Sequence, residues 1–230
     1  MALDPKDQTS ALEFAFLAHE TGQTRLARLT FDRIRQSGNV VAEQAFQNID
    51  KPLGEGISRW LNVLRTETGN FSAHQELARL AELRNEVQLA AEHYLAAWNL
   101  RPAERPLLVA LARVYLDHNQ PDLAMPPLLA AARSGNPRAT EQAKAFLPNR
   151  YPYVYEFEQA LNLDPTNVEL RRELAYLHLA MSQPAHAQRE FETLLQHAPN
   201  DRAALNQLAL LKGQPVSPRD PSAAAAPITH

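Results

Sequence analysis

The residues of this sequence best suited to bind a ligand are arginines that recur in a similar setting. Arg79 follows a Leu-Ala pair, and Arg113 follows another Leu-Ala pair 34 residues later. A guanidinium group presents a planar fork of N–H donors that pairs with a carboxylate through two hydrogen bonds. If the fold brings the two side chains to one surface, they predict recognition of an acidic peptide or of a C-terminal carboxylate.

A second interpretation places both arginines on an ordinary solvated surface. Arg79 has Glu76 and Glu82 within one helical turn, and Arg113 has Asp117. Exposed ion pairs at this spacing are common and contribute little free energy. The sequence leaves both interpretations open.

Catalytic and metal-binding patterns are absent from the sequence. The chain has no cysteine, which excludes disulfides, thiolate nucleophiles and cysteine-based metal sites. It has no H-E-x-x-H, P-loop or G-x-S-x-G motif, and its 8 histidines lack partners at ligand spacing. We therefore expect no enzyme activity and no catalytic, cofactor-binding or metal-binding residue.

Charge and hydropathy restrict the partners and the location of the protein. The net charge of -3 and the pI of about 6.2 argue against nucleic-acid binding, which usually needs a basic excess. No run of 18 apolar residues and no signal-like N-terminus occur, so we expect no direct membrane insertion. The cytoplasm remains open, as does the periplasm if a signal was removed or lies upstream.

A repeated pattern indicates how the chain is organised. Ala90, Tyr94, Ala97 and Pro102 stand at offsets 0, 4, 7 and 12, which places the first three on one helix face. The copies are Ala187, Phe191, Leu194 and Pro199; Tyr153, Phe157, Ala160 and Pro165; Ala27, Phe31 and Ile34; Gly56, Trp60 and Val63; and Ala124, Leu128 and Ala131. The pattern predicts one bulky side chain filling the same groove in each unit.

Another helix precedes most of these segments. A large–small pair such as Leu77-Ala78 lies 13 residues before the first member of the set, and turn-forming residues lie between. The turn-forming residues are Gly22, Asn85, Asn119 to Pro121 and Ser182 to Pro184. Each unit is therefore predicted to be a helix, a short turn and an antiparallel helix.

This pattern resembles the tetratricopeptide repeat (TPR) family, which has 34-residue units of two helices. The resemblance covers residues 8–201. The family's first-helix Trp is absent, its Gly is usually Ala, and its Tyr survives only at Tyr115. The resemblance implies an all-α fold, a right-handed α-solenoid (TPR superhelix) of antiparallel helix pairs. It also implies a non-catalytic scaffold that binds a peptide or protein along its concave groove.

Spacings divide the predicted array into two similar blocks of three units. The first residues of successive sets, from Ala27 onwards, are separated by 29, 34 and 34 residues and then by 29 and 34. The tripeptide Ser37-Gly38-Asn39 returns 97 residues later as Ser134-Gly135-Asn136. We expect a local change of packing in both short units. The predicted units span residues 8–36, 37–70, 71–104, 105–133, 134–167 and 168–201, with a capping helix at 201–212 in an array that covers 8–213. Residues 1–7 match the end of a preceding repeat, and 214–230 are predicted to be a disordered tail or linker.

The resemblance also implies which side chains line the groove, because the first helix of each unit faces it. The predicted groove residues are Gln75, Arg79, Arg113, Arg138, Gln142, Arg172 and Tyr176. Some TPR co-chaperones clamp a C-terminal carboxylate with Lys and Asn side chains. Here Leu12 and Phe16 hold the corresponding positions in the first unit, so that clamp is not supported and an apolar stripe is predicted instead, covered by an upstream unit.

Three further interpretations stay open from the sequence. The chain could be an accessory segment of a larger enzyme or of an envelope or polysaccharide export complex, and an RNA-reading repeat is disfavoured by the acidic charge. Exposed array ends could give weak self-association. In the run Asn149 to Phe157, we expect Tyr153 and Phe157 to fill core slots, and we expect Tyr151 and Tyr155 to lie off that face; an aromatic platform that contacts a ligand is the alternative.

Overall fold

The computed structural model describes residues 8–213, which form twelve α-helices and no β-strand. The helices are α1 (Gln8–Glu20), α2 (Thr24–Arg35), α3 (Val40–Leu64), α4 (Phe71–Arg84), α5 (Val87–Leu100), α6 (Pro106–Leu116), α7 (Pro121–Ala132), α8 (Pro137–Lys144), α9 (Val154–Leu163), α10 (Val168–Ala180), α11 (Pro184–His197) and α12 (Arg202–Leu211). The predicted all-α class is confirmed. The predictions for residues 1–7 and 214–230 fall outside the described residues.

Four pairs of helices form the predicted helical hairpins, namely α1–α2, α4–α5, α6–α7 and α10–α11. Their turns contain Gly22, Asn85, Asn119 and Ser182, which have φ angles of 77°, 67°, 56° and 59°. This left-handed conformation ends a helix and reverses the chain. Since each hairpin also packs against its neighbour, the described chain is an α-solenoid.

The repeated slots form the core of these hairpins. In α5 the small residues Ala90 and Ala97 are fully buried, and Tyr94 between them is 5% exposed. The equivalent bulky residues Phe31, Leu128, Phe157 and Phe191 are also buried. Small residues let neighbouring helix axes approach, and one bulky side chain then fills the space between them.

The second predicted unit departs from the helical hairpin. Residues 37–70 contain one 25-residue helix, α3, in place of two helices and a turn. Its buried positions follow one helical stripe over the whole length, consisting of Ala42, Phe46, Ile49, Leu53, Ile57 and Leu64. Pro52 lies inside α3 but faces solvent, so its missing N–H leaves no buried acceptor unpaired. The continuous stripe therefore keeps the helix unbroken past the proline.

The long helix α3 joins two separate parts of the core. Its N-terminal half, up to Leu53, packs with α1 and α2. Its C-terminal half, from Ile57, packs against α4 and belongs to an apolar cluster that also contains residues of α5 and α6. As a result α2 and α4 lie along successive halves of α3, and their facing ends come into contact.

A carboxylate at the middle of α3 links these two parts. Arg28 of α2 donates a 2.6 Å hydrogen bond to Asp50, and Arg84 of α4 donates others of 3.0 and 3.1 Å. Burial raises the pKa of Asp50, but the hydrogen bonds and charges of Arg84 and Arg28 outweigh that effect and hold the pKa below 3.8. Asp50 is therefore ionised at neutral pH.

The fifth predicted unit also departs from a regular hairpin. Its first helix, α8, has only 8 residues, and irregular backbone over 145–153 leads to α9. Helix α8 packs against α6 and α7, whereas α9 packs against α7 and α10. Residues 202–211 form the predicted final helix, and the Asp201 side chain accepts a 3.0 Å hydrogen bond from the backbone N–H of Ala204 at its start.

Candidate partner-binding surfaces

The first helices of the repeating units expose one row of side chains beside a buried row. In α4, Leu77 and Ala78 are fully buried while the side chain of Arg79 is 54% exposed. The same register exposes Arg113 after a buried pair in α6 and Tyr176 after a buried pair in α10. We call the row formed by the seven predicted groove residues the first-helix face.

Two arginines of the first-helix face engage carboxylates of the chain itself. Arg79 donates hydrogen bonds of 2.9 and 3.1 Å to Glu76 one turn earlier in α4. Arg113 reaches from α6 to Glu82 of α4, at 2.8 and 2.9 Å, and not to Asp117 as the second interpretation predicted. The Tyr94 hydroxyl donates a 2.6 Å hydrogen bond to the same Glu82 carboxylate. Neighbouring first helices are thus joined through Glu82.

Asp117 has a different partner because the hairpin α1–α2 folds against the middle of the array. Arg25 of α2 forms an ion pair with Asp117 and also donates a 3.0 Å hydrogen bond to the Asn85 side chain. His118 lies 2.9 Å from the same Asn85 oxygen. This contact spans 92 residues of sequence and depends on the single helix α3, so spacing within α6 could not predict it.

The other predicted groove residues differ in how firmly they are held. Gln75, Arg138 and Gln142 are exposed on α4 and α8. Arg172 pairs with Glu169 and donates a 2.6 Å hydrogen bond to Asp201, the residue that caps α12. Arg172 therefore has a structural role in seating the last helix.

The aromatic member of the first-helix face combines packing with exposure. The Tyr176 ring is 39% exposed and meets Phe191 edge-on, with ring centroids 5.4 Å apart. Burial and the nearby Asp201 carboxylate raise the pKa of its hydroxyl. Tyr176 is therefore a neutral side chain with one face available for contact.

An apolar groove of about 440 Å³ lies between α1 and α3 at the other end of the described array. The predicted stripe contributes Phe16, which is partly exposed and packs edge-on against Phe31 at 5.0 Å. The opposite wall comes from Val40, Val41, Gln44, Ala45, Asn48 and Ile49 of α3. Sequence reasoning missed this wall, although two exposed valines directly after the Asn39 cap were a detectable signal.

A second groove lies beside the first turn of α9, on the second-helix side. The interpretation of Tyr153 as a core residue is wrong, since the side chain is 56% exposed at the N-cap of α9, whereas Phe157 is fully buried as predicted. Tyr153 stacks on Tyr155 with ring centroids 5.8 Å apart. Beside Tyr155 lies a groove of about 270 Å³, which we call the Tyr155 groove; its lining residues are Asp122, Leu123, Met125, Tyr155, Glu156 and Gln159.

Two features are absent from the part of the chain that the structure describes. Within residues 8–213, no group of three or more His, Cys, Asp or Glu side chains could hold a metal ion. None of the helices in this range is long and apolar enough to cross a membrane.

Comparison with known proteins supports the predicted resemblance. Residues 154–211, which include α9 to α12, match the family model described as tetratricopeptide repeat. No curated protein matches the chain.

Three of the solved structures to which the chain is similar are described as TPR proteins. A TPR protein of Thermus thermophilus is 16% identical with a TM-score of 0.28, and the match covers 89% of this chain and 98% of that one. YrrB, a TPR protein with an unusual peptide-binding site, is 15% identical with a TM-score of 0.33, covering 86% and 90%. A tetratricopeptide repeat protein of Parabacteroides merdae is 13% identical with a TM-score of 0.34, covering 89% and 98%.

The family match and the repeated registers agree with each other. The family model covers α9 to α12, and the same buried small–bulky slots recur in the hairpins that precede them. The fold belongs to a class whose members serve generally as non-catalytic protein-interaction scaffolds. Residues 154–211 therefore match the tetratricopeptide repeat, and the described chain is an α-solenoid of consecutive helix pairs.

Proposed function

We propose that the protein is a non-catalytic scaffold that binds an acidic peptide or protein segment along its first-helix face. The observation that supports this most directly is the shared register of Arg79, Arg113 and Tyr176. Each follows a buried large–small pair, so the three occupy equivalent exposed positions on α4, α6 and α10. An extended segment that crosses these helices would meet them in turn.

The ion pairs on this face do not prevent the proposed binding. Both Arg79 and Glu76 are exposed, so their pair contributes little and a partner carboxylate can replace Glu76. Arg113 can also turn towards a ligand, because Glu82 keeps the hydrogen bond from the Tyr94 hydroxyl. Gln75, Arg138 and Gln142 add exposed donors and acceptors for the backbone of the bound segment.

The experiment that tests this proposal is a binding selection with matched charge reversals. A displayed peptide library is selected on the wild-type chain, and each enriched peptide is then measured against Arg79→Glu/Arg113→Glu. We expect enriched peptides to be rich in Asp and Glu. Their affinity should fall by about tenfold or more in this variant, which corresponds to about 1.4 kcal/mol.

A second variant separates local recognition from overall charge. Arg33 and Arg189 are exposed on the second helices α2 and α11. Arg33→Glu/Arg189→Glu changes the net charge equally, so it should reduce the affinity only slightly. Equal losses in the two variants, or enrichment of uncharged peptides with no loss in either, would remove the first-helix face from the proposal.

A further inference from the structure

The Tyr155 groove has an aromatic wall whose rings are already held in place. Tyr153 and Tyr155 are more than half exposed, and their rings stack with centroids 5.8 Å apart and planes 18° apart. Arg150 lies over the Tyr153 ring at 4.3 Å and donates hydrogen bonds of 2.6 and 2.9 Å to the Glu156 carboxylate. A ligand would therefore contact two rings that it does not need to order first.

The rest of the apolar lining of the groove comes from α7. Leu123 is 52% exposed although it is a large apolar residue, and the partly buried Met125 lines the groove with it. Exposed tyrosine, leucine and methionine side chains that lie together are typical of a surface that binds another protein. Aromatic-lined grooves in particular bind proline-rich segments in the polyproline II conformation, whose apolar rings pack against the aromatic side chains.

Two side chains of the groove supply hydrogen-bond donors for such a segment. Partial burial and the charge of Glu156 raise the pKa of the Tyr155 hydroxyl despite the opposing effect of Arg150, so this group keeps its proton at neutral pH. Its hydrogen bond to Glu156 is long, at 3.4 Å, and Gln159 adds an exposed amide. A polyproline II segment has no internal hydrogen bonds, so its carbonyl oxygens need donors of this kind.

The available charge in the groove is negative. Glu156 lines the groove, but its oxygens already accept the hydrogen bonds of Arg150 and a 2.7 Å hydrogen bond from the Tyr153 N–H. Asp122 is exposed in the first turn of α7 and forms no ion pair with another described residue. Its charge contributes to the raised pKa of the Tyr155 hydroxyl, which places the carboxylate near that ring. A lysine or arginine of a bound segment would complement this edge.

From these observations we propose that the Tyr155 groove binds a proline-rich segment of a partner protein in the polyproline II conformation. Prolines of the segment pack against Tyr155 and Leu123, and a lysine or arginine of the segment lies beside Asp122. The groove is formed by the second helices α7 and α9, so it is separate from the first-helix face. This adds to the proposed scaffold function a second binding site, which prefers the opposite charge.

The test titrates the full chain with two synthetic peptides and follows the tyrosine ring signals by NMR. One peptide has a single arginine within a run of prolines, and the other has glutamate at that position. With the arginine peptide we expect the Tyr153 and Tyr155 signals to shift and saturate, while that of the buried Tyr94 stays constant. The glutamate peptide should bind about tenfold more weakly. Unshifted Tyr153 and Tyr155 signals, or equal binding of both peptides, would overturn the proposal.

A dilution series of the chain without peptide tests whether a second copy covers the groove. We expect the Tyr153 and Tyr155 signals to be independent of protein concentration. Signals that shift on dilution would assign the groove to self-association, and the proposal of a separate partner would then be wrong.

Variants compare this groove with the first-helix face. Tyr155→Ala removes one ring of the aromatic wall and should weaken binding of the arginine peptide by about tenfold or more. Tyr176→Ala makes the same change at an exposed ring on α10, and Arg79→Glu/Arg113→Glu alters the arginines of the first-helix face. Both should leave the affinity for this peptide unchanged, even if the first-helix face binds nothing. Equal losses in the two tyrosine variants would show that the peptide binds outside the groove.

A charge variant tests the role of Asp122. Asp122→Arg should reverse the preference, so that the glutamate peptide binds more tightly than the arginine peptide, and circular dichroism checks that the helix content is unchanged. Glu20→Arg changes the net charge equally at an exposed position on α1 and should keep the wild-type preference. If the two variants behave alike, overall charge and not the groove sets the preference, and the proposal fails.

Discussion

The second and fifth units begin alike and then diverge, which shows what decides whether a helix continues. Each follows a Ser-Gly-Asn run in which the glycine has a positive φ, 86° at Gly38 and 70° at Gly135. In each the asparagine side chain accepts a 3.0 Å hydrogen bond from a backbone N–H one turn ahead. The helix that begins at this point has 25 residues in the second unit (α3) and 8 residues in the fifth (α8).

The two helices differ in length because the buried apolar stripe continues in α3 and ends in α8; the number of prolines alone does not explain the difference. A shift of 97 residues pairs Ile49 with Phe146 and Leu53 with Arg150. Ile49 and Leu53 are buried, whereas Phe146 and Arg150 are exposed. A solvent-facing proline such as Pro52 is therefore tolerated while the stripe continues, and the helix ends where the stripe ends.

The same shift exposes a second difference, at the turn that follows each short unit. In the first block His74 lies 2.8 Å from His93 and 3.0 Å from the Thr68 carbonyl oxygen. In the second block Arg171 holds the equivalent position, pairing with Glu190 at 2.8 Å and donating a 3.0 Å hydrogen bond to the Pro165 carbonyl. One geometry is thus built from a titratable pair in one block and from a permanent cation in the other.

The largest expected effect concerns the bulky slot that the two units share. Phe157 is fully buried, whereas Trp60, the equivalent residue on α3, is only partly buried. Phe157→Ala should lower the free energy of unfolding by about 3–5 kcal/mol, because it leaves a cavity in the core. Trp60→Ala should cost less than half of that. Chemical denaturation of the two variants compares them, and equal losses would mean that both units pack alike.

A smaller effect should come from the carboxylate that links α2, α3 and α4. Asp50→Ala leaves Arg28 and Arg84 without their shared partner, so we expect a loss of about 2–3 kcal/mol in the free energy of unfolding. The pKa of Asp50 lies below 3.8 in the folded state, so its contribution is complete above that pH and is lost as the pH falls through the folded value. Urea titrations between neutral and acid pH measure both effects.

The matched control for this variant is the equivalent position in the other block. Leu147 replaces Asp50 after the shift of 97 residues and lies against an apolar cluster. Leu147→Ala should destabilise the protein without altering how its stability depends on acid. An Asp50→Ala protein that keeps the wild-type acid dependence would contradict the assigned role.

The helical hairpins and their turns could be predicted from sequence because their signals are local. Asn85 and Ser182 mark turns by residue type, and the buried Ala and Phe slots follow from helical period. The unbroken α3 was missed because a 29-residue spacing with an internal proline is typical of a shortened hairpin. The buried stripe from Ala42 to Leu64 distinguishes α3 from a shortened hairpin. A continuous stripe stabilises one long helix only when neighbouring helices cover its whole length.

The candidate surfaces were harder to predict because they depend on contacts between distant residues. Arg113 on α6 pairs with Glu82 on α4, which lies 31 residues earlier in the sequence, and not with the nearby Asp117. This pair depends on how the fold places α6 relative to α4, and spacing within α6 does not show that. Tyr153 matched the repeated slot in spacing, but that slot accepts a small residue in the other hairpins. A tyrosine does not fit there, so it lies outside the core at the N-cap position of α9.

A gain of stability is expected at the proline that α3 tolerates. Pro52→Ala restores a backbone donor and removes the ring from the helix interior, so the free energy of unfolding should rise by about 1–2 kcal/mol. Pro148→Ala, in the irregular connection of the other unit, should change it by less than about 0.5 kcal/mol. Thermal unfolding of both variants tests the contrast, and an unstable Pro52→Ala protein would show that the proline shapes α3.

The smallest expected effect is a difference between the two blocks in how their stability depends on pH. Burial lowers the pKa of His93 below 6.5, and the charge of His74 lowers it further, against the opposing effect of Glu92. The unfolded chain therefore binds this proton more readily than the folded chain. Stability should fall as the pH drops below 6.5 and level off below the folded pKa, by about 1 kcal/mol or less. The second block has Arg171 and Glu190 in place of the two histidines, so it should lack this dependence of stability on pH.

Exchanging the pairs tests that assignment. His74→Arg/His93→Glu builds the second block's ion pair into the first, so the hydrogen-exchange protection factors of α4 and α5, which correct for the intrinsic pH dependence of exchange, should no longer fall between about pH 7 and pH 5. His197→Gln, at an exposed histidine at the end of α11, should leave the fall in protection intact. If the exchanged pair still loosens in acid, the sensitivity originates outside the His74–His93 contact, and the two blocks differ less than their geometry indicates.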